Sequence, residues 1–148
     1  MKKDNLEISI SIKEINEISF KQSQVPESFG DIVFGKNLMF GLAFSFDIKL
    51  EDEIFCQKAK VKFLLKDIED PIIELETEMI FHVKNLTRVV KKVDDGEIKI
   101  DDNFLATLTG VVIGTSRGIL AKNTKGTVMS KYPLPILNPQ DVLKGIEE

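Results

Sequence analysis

The chain has 148 residues, with 20 Lys plus Arg against 24 Asp plus Glu, one His, one Cys, ten Phe, one Tyr and no Trp. At 43% hydrophobic it can bury the core of one domain over residues 1–148, which excludes general disorder and a disulfide-stapled miniature fold. A net charge of -4 gives no overall attraction for nucleic acid. One Cys with one His falls short of a zinc set, so no metal or other cofactor is expected and a reducing cytoplasm is the simplest compartment.

The first alternation sets Leu6, Ile8, Ile10, Ile12, Ile18 and Phe20 against Glu7, Ser9, Ser11, Lys13 and Glu17, a strand with one buried face in which the out-of-phase Ile15 reads as a bulge. Residues 22–36 contain Ser23, Pro26, Ser28 and Gly30 and read as a long connection, yet Val25, Phe29, Ile32 and Phe34 make it apolar enough to lie against something. Over residues 38–50, Phe40, Leu42, Phe44, Phe46, Ile48 and Leu50 take every even position, a half-buried strand. Residues 56–66 place Ala59, Val61, Phe63 and Leu65 opposite Lys58, Lys60 and Lys62, and residues 72–83 place Ile73, Leu75, Thr77, Met79, Phe81 and Val83 opposite Glu74, Glu76, Glu78 and His82.

Pairing Phe63 with Ile73 and Val61 with Leu75 also sets Lys62 opposite Glu74, Lys60 opposite Glu76 and Lys58 opposite Glu78. One register therefore satisfies both faces of an antiparallel hairpin. Closing the preceding loop at residues 51–54 sets Phe44 opposite Val61 and Phe46 opposite Ala59. The expected result is a four-stranded antiparallel meander whose aromatic face, with Phe40, Phe44, Phe46, Phe63 and Phe81, forms core or subunit interface.

Residues 93–102 are acidic and suit a turn into a helix capped by Asp102 or Asn103. Phe104, Leu105, Leu108, Val111, Val112, Ile119 and Leu120 then recur at helical spacing to about Ala121. On the same helix Ala106, Gly110, Gly114 and Gly118 form a four-residue row. Glycine inside a helix costs about 1 kcal/mol relative to alanine, so the row implies close approach of another backbone, as in an oligomer. The uncharged run 103–116 is shorter than the roughly 20 residues a membrane span needs, so insertion is not expected. Residues 132–139 form an extended proline-bearing strip that leads into a short helix over 140–146. The class is α+β, with the sheet followed by a long helix and a short C-terminal one.

Catalytic chemistry finds little support. His82 lies beside Glu78 on a polar face and reads as a solvated histidine, and Cys56 reads as a packing residue. The stretch 114–118 lacks the Gly-Lys-Ser/Thr of a P-loop, and the Lys and Glu rows neutralise each other. A thioester enzyme of hotdog type would place its main helix early, whereas here the helix follows all the strands. No enzyme is expected.

The helix end Ser116-Arg117-Gly118, followed by Pro133-Leu134-Pro135-Ile136-Leu137-Asn138-Pro139 and a further helix after the four strands, resembles the SecB family of export chaperones. The resemblance implies a homotetramer, a dimer of dimers in which long helices pack between sheets, with the row Ala106, Gly110, Gly114 and Gly118 as an oligomer interface. It implies ATP-independent capture of unfolded polypeptides or preproteins in apolar grooves, here lined by Phe29, Ile32, Phe34, Pro133, Leu134, Ile136 and Leu137. A secretion motor or an antitoxin would be the further partner, the latter for a dedicated chaperone of one client. The insertion 119–131 and the short tail after Gly145 depart from the family pattern and weigh against docking to the motor.

Overall fold

The computed structural model describes residues 7–147; Leu6, placed on the first strand by its alternation, lies outside them. Strands β1 (Ser9–Gln22), β2 (Leu38–Lys49), β3 (Ile54–Leu65) and β4 (Ile73–Lys84) form one antiparallel sheet. A short hairpin of β5 (Val90–Lys92) and β6 (Ile98–Ile100) precedes helix α1 (Asp102–Asn123), and helix α2 (Pro139–Glu147) ends the chain. This is the expected α+β architecture. The strand order, β1-β4-β3-β2, is a meander only over β2, β3 and β4, because β1 returns to lie beside β4 rather than β2. Both β1 and β2 are therefore edge strands.

The β3–β4 register is the expected one, with Phe63 opposite Ile73 and Lys62 opposite Glu74. On its wet face Lys62 Nζ reaches Glu74 at 3.5 Å, while Glu78 Oε1 accepts from Asn16 Nδ2 of β1. Exposed pairs of this kind contribute at most about 1 kcal/mol, so the buried face fixes the register. Between β2 and β3 the pairing is two residues away from the expectation, with Phe44 opposite Ala59 and Phe46 opposite Gln57. The cause is that the four-residue turn sits one residue earlier, over 50–53 instead of 51–54, with Glu53 in a left-handed backbone, φ 57°. Its carbonyl accepts from Val83 N, its Oε2 from Asn85 N at 2.6 Å, and Oε1 lies 3.8 Å from His82 Nε2. Glu53 thus ties the turn to the end of β4.

The bulge expected at Ile15 becomes two, with Lys13 and Ile18 the inserted residues. Between them the parity flips, so Ile15 joins Ile10, Ile12 and Phe20 on the inner face opposite Met79, Val83, Phe81 and Leu75. Helix α1 packs over the two central strands, β3 and β4, and the side chains of Phe55, Phe63, Phe81, Leu75 and Leu108 are almost wholly buried there. Each such side chain contributes about 1.5–3 kcal/mol of transfer energy. Two polar ties cross the same interface: Gln57 Nε2 donates to Thr109 Oγ1, and Thr77 shares a hydrogen bond with Ser116.

The helix cap is Asp101, one residue before the expected Asp102 or Asn103, and its Oδ2 accepts from Phe104 N at 3.0 Å. Changing Asp101 to Ala should lower unfolding stability by about 1 kcal/mol in urea titration, because the amide loses its acceptor. The acidic segment before it contains β6, joined to β5 by a turn in which Gly96, φ 83°, takes a conformation that suits glycine.

Candidate functional site

The β2 edge carries Phe40, Leu42 and Phe44 on the inner face, each only half-buried because α1 lies over the central strands. The connection 23–36 closes one end of this edge. It is held by Ser23 N donating to Ile72 O, by Asn37 Nδ2 donating to Asp31 O, and by a lone bridge between Phe34 and Leu38. Phe34 stands at the centre of an aromatic group, edge-on to Phe40, Phe63 and Tyr132 with ring centroids 5.8–6.2 Å apart. Tyr132 Oη donates to Ile32 O and so joins the proline strip to the connection.

The strip itself is positioned by Arg117. Its Nε donates to Leu134 O at 2.8 Å and its Nη2 to Pro135 O at 2.6 Å. Pro133 and Pro135 have no N–H to offer a sheet, so the strip's carbonyls are met by a side chain instead. Held in this way, Leu134 is buried to 1% exposure and belongs to the core, with no surface left for a ligand. Pro133 is exposed, Leu137 is half-buried, and Ile136 is 93% exposed.

Leu137 separates two depressions. On one side Phe40, Leu42, Leu137 and Val142 line a space of about 360 Å³ between β2 and α2. On the other, Ala106, Thr107, Ile136, Leu137 and Pro139 line one of about 590 Å³ beside α1. Of the residues expected to line a groove, Phe29, Ile32, Phe34 and Leu137 converge as half-buried packing around the core of Leu38, Val61, Phe63, Leu75 and Leu134, together with Phe40, Leu42, Tyr132 and Val142. The last four were missed by sequence reasoning, and the edge position of β2 is what brings Phe40 and Leu42 to the surface.

The small-residue row divides. Ala106 is buried, and a Cβ on Gly110 would stand 3.1 Å from Pro139 Cγ, so the close approach there is to α2 of the same chain. Gly114 and Gly118 are exposed beside Val111. By length and composition α1 would pass for a membrane span, but its buried side chains face the sheet and Arg117 holds the strip. Among the described residues no group of three or more His, Cys, Asp or Glu could hold a metal ion.

Cys56 lies on the wet face opposite Asp47. Partial burial, then the negative charges of Glu78 and Asp47, raise its thiol pKa above the ordinary value. Less thiolate is present at a given pH, so thiol–disulfide exchange at Cys56 near pH 8 should be slower than that of free cysteine. A time course with a chromogenic disulfide checks this.

No family model and no curated protein matches the sequence. Among solved structures, a Streptococcus agalactiae protein of unknown function aligns at 9% identity over 88% of this chain and 98% of its own, with a TM-score of 0.47. A Mycobacterium tuberculosis SecB-like chaperone, solved in complex with an antitoxin peptide, aligns at 13% identity with a TM-score of 0.50. That alignment covers 86% of this chain and 90% of the other. The chain therefore has a SecB-like fold.

Proposed function

We propose that this protein is an ATP-independent chaperone that holds non-native polypeptide in an extended form along the β2 edge and the proline strip. The observation that carries this reading is the half-covered apolar wall of Phe40, Leu42, Leu137 and Val142, which lies along an edge strand. An extended segment could pair with the backbone of β2 while its side chains enter the two depressions flanking Leu137. Phe34 and Tyr132 brace the floor. Ile136 offers the largest uncovered apolar surface of the strip. The likeness in fold to a chaperone solved with a peptide supports the same reading. The protein would act in the cytoplasm, without enzymatic chemistry.

The test is aggregation. At equimolar subunits the protein should slow the rise in light scattering of a client diluted from denaturant; unchanged scattering would end this reading. A narrower form, a chaperone dedicated to one client such as an antitoxin, is favoured by the antitoxin peptide bound to the mycobacterial protein. A single stoichiometric partner in pull-downs would select it over a general holdase serving export.

The assembly in this reading is a homotetramer, a dimer of dimers. Two uncovered surfaces support it: the inner face of β1, where Ile10, Ile12 and Ile15 are exposed, and the outer face of α1 at Val111, Gly114 and Gly118. Gly114 has only Arg117 Nη1 near its Cβ direction, at 3.9 Å, so Gly114→Leu should fold as a subunit. The variant should nevertheless elute with a smaller mass than wild type in chromatography with light scattering. An unchanged mass would remove the glycine face from the interface.

A further inference from the structure

The β5–β6 hairpin sets like charges side by side at one place, although its turn carries Asp94, Asp95 and Glu97. Residues 84–92 hold Lys84, Arg88, Lys91 and Lys92 without one acidic residue, although the net charge of the chain is -4. In the hairpin ladder Lys91 stands directly opposite Lys99, and like charges in that position destabilise a strand pair. Arg88, in the last turn of a short 3-10 segment, faces the same place. Together with Val89, Ile100 and Asp101, these three cations line a pocket of about 220 Å³. The backbone is fixed around it, since Asp101 N donates to Val89 O at 2.7 Å.

We infer that this pocket binds carboxylates of a peptide client, namely an acidic stretch flanking the apolar segment held in the groove; the inference rests on the chaperone reading above. Position supports it. Asp102 and Asn103, next in the chain to Asp101, line a further depression with Leu143 and Lys144 of α2, so the pocket of Lys91 and Lys99 lies beyond the α2 end of the groove. Chemistry favours carboxylate over phosphate. A phosphoryl site commonly uses free amides at a helix start, but the start of α1 is occupied by the Asp101 carboxylate, which accepts from Phe104 N, and is followed by Asp102. What the pocket offers is the ammonium groups of Lys91 and Lys99 over an apolar floor of Val89 and Ile100, with the Asp101 carboxylate at its rim turned to Phe104 N.

The experiment compares two labelled peptides by fluorescence anisotropy on the full chain. They share one apolar core and end in a short run of either glutamates or glutamines. Wild type should bind the glutamate peptide about tenfold more tightly at low salt, since two exposed charge pairs, at Lys91 and Lys99, supply that much. Raising the salt should shrink the preference. The double variant Lys91→Gln, Lys99→Gln should lose the preference and keep wild-type affinity for the glutamine peptide. Equal affinity of wild type for the two peptides, or a preference that survives in the variant, overturns the anion site alone. Inorganic phosphate that competes as well as the glutamate peptide reassigns the pocket to phosphoryl groups and also overturns it. If neither peptide binds, the groove reading falls and takes this inference with it.

Discussion

Replacing Arg117 with alanine is expected to loosen residues 133–147 while leaving the sheet intact. Two bonds from one guanidinium hold the consecutive carbonyls of Leu134 and Pro135, and neither proline of the strip can donate a replacement. Hydrogen bonds from a charged donor contribute about 1.5–3 kcal/mol each, and partial exposure of Arg117 lowers the total to about 2 kcal/mol. Local opening of α2 should then rise roughly thirtyfold. The amide of Val142, which donates to Asn138 O, would report this in hydrogen exchange, with the amides of β3 as the unaffected reference. Arg117→Lys keeps the charge but loses the fork and should fall between the two. Unchanged exchange at Val142, or an equal rise across β3, would mean that Arg117 does not position the strip. In the proposed function the same variant weakens client holding, because Leu137 and Val142 lose their fixed places.

How legible each part was depends on how many constraints coincided. The β3–β4 register could be read because Phe63 with Ile73 and Lys62 with Glu74 demand the same pairing from opposite faces. The β2–β3 register rested on where the loop was placed, and the turn, with Glu53 tied to Val83 and Asn85, sits one residue earlier at the same length. Nothing in the alternation of β1 distinguishes β4 from β2 as its neighbour, since isoleucines fit beside either. That one undetermined choice decides the site. With β2 between two strands, Phe40 and Leu42 would have been covered; at the edge they are half exposed.

The strip was illegible for a different reason. Pro133, Leu134, Pro135, Ile136 and Leu137 follow neither a helical nor a strand period, so their exposure is set by tertiary bonds from Arg117 and not by local pattern. Sequence reasoning grouped Leu134 with Ile136, although one is core and the other the most exposed large apolar side chain described. Strands of three residues, like β5 and β6, are likewise too short for periodicity to reveal.

Ile136→Asp is expected to produce the largest loss of client binding for the smallest cost in folding. A residue contributes to docking in proportion to the apolar area it loses to the partner, and Ile136 is 93% exposed whereas Leu137 is already half-buried. Covering the isoleucine fully contributes about 2–3 kcal/mol, so the variant should bind an unfolded client roughly 30- to 100-fold more weakly. Its thermal midpoint should match wild type, because the side chain packs against little in the folded subunit. Two results would sink the assignment. Wild-type protection of the client in the scattering assay would mean that Ile136 is not a contact. A change of oligomeric mass accompanying the loss would assign it to another copy of the chain, since an exposed apolar side chain is buried equally well by a subunit or a client.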